Sequence, residues 1–226
     1  MLKSVEKVNH IFNTILNLVY LNILWSVYTL LGLIIFGIGP STYALVSICR
    51  QWIRGNQNIP VFKSYWKYYK ECFKDSVVIS WVYLLAGFVL VVDLQYVTNW
   101  YARVALFVIS FMYLLSLVYI FPIMAHYSWK GILLKIKMSF LFGLACMQYS
   151  LVLGVVIVVI YGAATNFFPG ILTFFGISFL FYLITWTSNQ VFTRMESVNG
   201  KELEGNISNQ IAKENRDEKK QGIKVS

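Results

Sequence analysis

The sequence predicts an all-α fold, a polytopic transmembrane helix bundle of about five spans. Three observations predict it. Of 226 residues, 58% are apolar or aromatic and only 13% are charged, against roughly 45–50% and about 25% in soluble domains. The mean hydropathy is +0.63. The apolar residues gather into long runs without charge in their middles, and Lys and Arg gather between alternate runs. So little charge cannot coat a water-soluble globule. The composition also excludes a disordered chain, a collagen-like one and a disulfide scaffold.

The first run, 11–38, holds Asn13, Asn17 and Asn22 but no charge. It is longer than the roughly 30 Å hydrocarbon core requires, so it must tilt or begin in the interface. Gly37-Ile38-Gly39-Pro40 is read as its stop. Further spans are expected at 76–96, 104–125, 138–164 and 167–192, the last two joined by a tight Thr165-Asn166 turn. A backbone in lipid must satisfy its own hydrogen bonds, which helices do and isolated strands do not. Between the first two spans, Ser41 to Gly55 and Phe62 to Asp75 read as a short cytoplasmic helical hairpin, with Pro40 fitting a first helical position. Residues 1–192 form the expected membrane domain. Residues 193–226 are a polar cytoplasmic tail, expected to be disordered.

Basic residues give the orientation. The first loop carries Arg50, Arg54, Lys63, Lys67, Lys70 and Lys74, and the third carries Lys130, Lys135 and Lys137. Positive loops stay in the cytoplasm, so these loops and the C-terminus are placed inside and, with five spans, the N-terminus outside. Lys3 and Lys7 oppose that placement. The conflict disappears if the first segment lies partly along the interface or re-enters. The formal charge of +9 is mostly this topology signal: up to Phe192 twelve Lys and Arg face four acids, whereas the tail is nearly balanced. No nucleic-acid partner is needed to explain it.

Phe62, Tyr65, Trp66, Tyr69 and Phe73 recur at helical spacing and fall on one face, with Lys63, Lys67, Lys70 and Lys74 beside them. An aromatic face edged by Lys suits a helix in the membrane plane, its ammonium groups on anionic lipids. Equally, the aromatic face could pack on the other spans while the Lys residues only mark the cytoplasmic side. Asn13, Asn17 and Asn22 offer a polar intramembrane stripe. Helix–helix adhesion is its ordinary use, and a polar transport path is the sharper one.

Reaction chemistry is sparse. Cys49, Cys72 and Cys146 form no Cys-x-x-Cys, and neither His10 nor His126 has neighbours in metal-ligand spacing. No cofactor, metal or catalytic residue is expected. Ionisable groups are missing from the middles of the spans, which argues against a proton-coupled transporter.

The sequence resembles a known family. Asn22-Ile23-Leu24-Trp25 leads to Gly39-Pro40-Ser41-Thr42-Tyr43-Ala44-Leu45, then Trp52-Ile53-Arg54-Gly55 and the aromatic-basic run Trp66 to Lys74. The resemblance is to the YesL family of bacterial membrane proteins, a domain of unknown function. Gly39, Pro40, Ser41, Thr42, Ala44 and Leu45 carry its most specific element. The resemblance implies a plasma-membrane protein found in gene neighbourhoods with carbohydrate ABC transporters, sensor kinases and glycoside hydrolases. The expectation is therefore a non-enzymatic accessory or regulatory partner of a carbohydrate uptake system, touching a carbohydrate ABC transporter or a sensor kinase. A permease-like transport component is the alternative, and a membrane enzyme acting on lipid or glycan is a more distant one.

Overall fold

The computed structural model describes residues 2–56, 59–127, 131–167, 170 and 175–195, with the side chains of 2–11, Asn13 and Phe167 outside that set. Among the described residues all regular structure is helical: α1 (Leu2–Leu31), α2 (Ile38–Ile53), α3 (Val61–Glu71), α4 (Phe73–Tyr96), α5 (Trp100–His126), α6 (Ile132–Ala145) and α7 (Met147–Phe167). Residues 175–195 are also helical. The chain divides into two units, 1–189 and 190–226. In the second, the described residues 190–195 are helical, and the rest of the expected tail lies outside the described residues.

Among the described residues, four segments are long and apolar enough to cross a membrane: Thr14–Leu31, Phe73–Tyr96, Trp100–His126 and Met147–Asn166. The second and third match expected spans, starting three and four residues earlier and ending at the expected residue and one beyond it. In α5 the added turn has a local cause, since the Asn99 side chain accepts the Tyr101 N–H at 3.2 Å and caps the helix.

Three expectations change. The first run does not continue to residue 38. α1 stops at Leu31, and residues 32–37 form a tight turn in which Ile34 N–H donates to the Thr29 carbonyl at 2.9 Å. The glycines at its ends allow this closure: a Cβ on Gly32 would lie 2.3 Å from Gly37 Cα, and one on Gly37 would lie 2.4 Å from the Thr29 oxygen. Gly39 and Pro40 therefore open α2 instead of ending α1, and Pro40 is the third residue of α2. Its missing N–H still costs nothing, because first-turn donors have no partner within the helix.

The expected fourth span, 138–164, is divided at Cys146. α6 lies along α5, where a Cβ on Gly143 would come within 3.1–3.2 Å of Leu115. Beyond the break, Ser150 Oγ bonds the Tyr119 hydroxyl at 3.1 Å and the Cys146 carbonyl at 3.4 Å, fixing the start of α7 to α5. Neither glycine nor proline marks this break, so the hydropathy run hides it. Thr165 and Asn166 are not a turn but the last turn of α7, both side chains bonding the Gly162 carbonyl. The expected fifth span, 167–192, falls partly on residues outside the described set.

The core is built around α2. Ala44, Leu45, Ile48 and Cys49 are buried with Leu18, Leu21, Leu24 and Tyr28 of α1 and Tyr65 and Tyr69 of α3. A second cluster joins Tyr43 to Ile79 and Tyr83 of α4 and Ile120 and Met124 of α5. A helix of 16 residues, buried from Gly39 to Cys49, is thus the centre of the first unit.

Candidate interaction surface

The motif Gly39-Pro40-Ser41-Thr42-Tyr43-Ala44-Leu45 is buried throughout. Its glycine allows contact between helices: a Cβ there would stand 2.3 Å from Ser80 Oγ and 2.5 Å from the Ser76 carbonyl of α4. Thr42 Oγ1 donates to the Ile38 carbonyl at 2.7 Å and accepts from Trp25 Nε1 at 3.2 Å, which ties α1 to α2. The motif is therefore a packing element.

The five aromatics of the α3 segment separate into two groups. Tyr65 and Tyr69 point inward. The Tyr65 hydroxyl donates to the Ser41 carbonyl at 2.8 Å, and the Tyr69 hydroxyl reaches the Tyr28 carbonyl at 3.4 Å. Burial pushes both phenols above their usual range, so both remain neutral donors. Phe62 and Trp66 stay 58% and 42% exposed. They form a shoulder against Tyr28, with ring centroids 6.4 and 5.5 Å from it. Phe73 belongs to α4 and is half-buried, its ring 5.5 Å from Tyr69.

Lys63, Lys67, Lys70 and Lys74 are all exposed. At about 100° per residue the three in α3, Lys63, Lys67 and Lys70, lie nearly opposite Tyr65 and Tyr69, and Lys74 follows in the first turn of α4. Lys70 Nζ sits 4.2 Å above the Trp66 ring. The inner aromatics hold the helix down, while the outer ones and the four Lys face away from the core. Of the polar stripe, Asn22 is buried in α1 and Asn17 half-buried, and the Asn13 side chain lies outside the described residues.

Several polar contacts carry no sequence signal. The hydroxyls of Tyr83, Ser116 and Ser139 bond one another at 2.5–3.0 Å and join α4, α5 and α6. Lys135 Nζ is buried against Asp75 Oδ2 at 2.6 Å, across 60 residues of chain. Arg50 Nη1 donates to the Ala125 carbonyl and its Nη2 lies 3.3 Å from His126 Nδ1, so this guanidinium closes the C-terminal end of α5. The charges were visible at the span ends, but their partners lie far away in sequence.

An apolar crevice of about 880 Å³ runs between α4, α5 and α6, lined by Leu85, Val89, Val108, Met112 and Phe140, with Lys137 at its edge. Among the described residues no group of three His, Cys, Asp or Glu could hold a metal ion. The three thiols are free, Cys49 and Cys146 buried and Cys72 half-buried.

A family model described as a protein of unknown function, DUF624, matches residues 18–94. Over 173 residues the chain is 35% identical to the uncharacterized protein YteU of Bacillus subtilis (strain 168), covering 74% of this chain and 77% of YteU. It is 30% identical over 125 residues to the uncharacterized protein YesL of the same organism, covering 54% of this chain and 60% of YesL. With the uncharacterized protein YesV it shares 29% over 120 residues, 50% of this chain and 58% of YesV. No solved structure matches.

Proposed function

The chain belongs to the YesL-type family DUF624, and from that premise we propose a non-enzymatic accessory protein of the bacterial plasma membrane. It docks a carbohydrate uptake system, either a carbohydrate ABC transporter or a sensor kinase, through the cytoplasmic side of α3.

One observation supports this reading above others: the outer surface of α3 is left over from folding. Tyr65 and Tyr69 complete the core, while Phe62 and Trp66 remain exposed beside Lys63, Lys67, Lys70 and Lys74. An aromatic anchor ringed by cations suits a protein contact, with the Lys residues also facing anionic headgroups at the same surface. The positive-inside rule supports a cytoplasmic side for that surface and for the C-terminus.

A permease-like path along Asn13, Asn17 and Asn22 has less in its favour, because the crevice at α4–α6 is walled by apolar side chains and suits lipid contact. The test is affinity purification from native membranes. The wild-type protein should recover a sugar-transporter or sensor-kinase component, and a Phe62→Ala, Trp66→Ala, Lys67→Glu variant should lose it. Recovery of neither component above background by the wild type would overturn the proposal.

A further inference from the structure

We infer that α1 and α2 form a re-entrant hairpin that enters the bilayer and turns inside it, so the N-terminus lies on the same side as the Lys residues of α3. The position of the turn carries this inference. The Phe36 ring lies 5.9 Å from that of Trp81. Ile35 and Ile38 line a cavity of about 190 Å³ with Ile79, Leu84, Leu117 and Ile120. Trp81 is eight residues into α4 and Leu117 nine residues from the end of α5. At ~1.5 Å per residue each is ~12–14 Å inside the helix end, close to half of a roughly 30 Å hydrocarbon core.

The other end of α2 returns to the surface. Arg50 closes the last turn of α5, so α2 covers only the distance from mid-depth to the end of the pair. α1 runs back along α2, held by the Trp25–Thr42 bond and the shared core, and its start therefore faces the same end.

The turn suits lipid. Leu33 is 78% exposed, and Ile34, Ile35 and Phe36 are about half exposed. In water such a cluster would be costly, but acyl chains cover it without penalty. Its backbone meets the condition for irregular chain at membrane depth: five of the six N–H groups at 32–37 have backbone acceptors. Lys3 and Lys7 then join the positive side, which removes the contradiction raised by an outside N-terminus.

That this side is cytoplasmic rests on the orientation proposed above, and the experiment separates the two. Single cysteines replace Lys3, Leu33 and Lys67 in a Cys72→Ser background that retains buried Cys49 and Cys146. Each is treated with a membrane-impermeant maleimide in inside-out and right-side-out vesicles. The expected result is labelling of Lys3→Cys and Lys67→Cys in inside-out vesicles only. Leu33→Cys should react at least about tenfold more slowly from either side, because a thiolate does not form in an apolar layer. An epitope tag ahead of Met1, accessible to antibody only in inside-out vesicles, repeats the measurement without touching a helix. If both label from outside, the hairpin stands and the orientation is wrong. If Lys3→Cys and Lys67→Cys label from opposite sides, or Leu33→Cys reacts as fast as Lys67→Cys, the hairpin is wrong.

Discussion

Gly39 shows how one missing side chain decides a helix contact. Gly39→Ala pushes a methyl group into the Ser76 carbonyl, which is backbone and cannot turn away. The expected cost is about 1–3 kcal/mol, read as a lower melting temperature in detergent. Gly154→Ala, where nothing lies within 4 Å, should be neutral or slightly stabilising. Lys135 makes a second case. Asp75→Asn leaves a buried ammonium without its counter-charge. Because Asp75 is 45% exposed and water reaches it, the expected loss is about 1–2 kcal/mol, less than for a sealed pair. Adding Lys135→Met should recover much of that loss in a double-mutant cycle, whereas equal instability of the single and double variants would refute the pairing.

Among the elements, the sequence marks the long helices well and their interruptions badly. Hydropathy locates α4 and α5 because an uninterrupted apolar run has one structural solution in lipid. The breaks at Cys72 and Cys146 leave no such mark. Both residues sit near φ −115°, ψ +28°, which any residue can adopt, so composition does not betray them. The α3 pattern was half legible. Helical spacing identified the face, but only packing shows that Tyr65 and Tyr69 are consumed while Phe62 and Trp66 are not. The hydroxyl cluster was not legible, since its members come from three helices. Tyr83→Phe and Ser116→Ala should each cost about 0.6 kcal/mol, with an upper bound of ~1.7 kcal/mol. Their energies should be non-additive in a thermal-unfolding cycle, and simple additivity would deny the cluster.

For the molecule as a whole, the sequence conveys a membrane-embedded helical protein and the side on which its charges gather, while the arrangement of α1 and α2 depends on contacts no linear pattern contains. Since Lys63, Lys67 and Lys70 of α3 and Lys74 at the start of α4 lie outside the core, replacing all four by Gln should shift stability by no more than about 0.5 kcal/mol per site. The same variant should lose partner capture in the affinity experiment. A large drop in melting temperature would instead assign these residues to the fold. Arg50 and Lys135 differ from that set. While the chain is still being made, both are positive charges of the kind that bias which side of a membrane a loop takes. After folding, one closes the carbonyl end of α5 and the other is neutralised by Asp75. The charge that steers the nascent chain and the charge the mature protein presents to its neighbours are therefore different sets of residues.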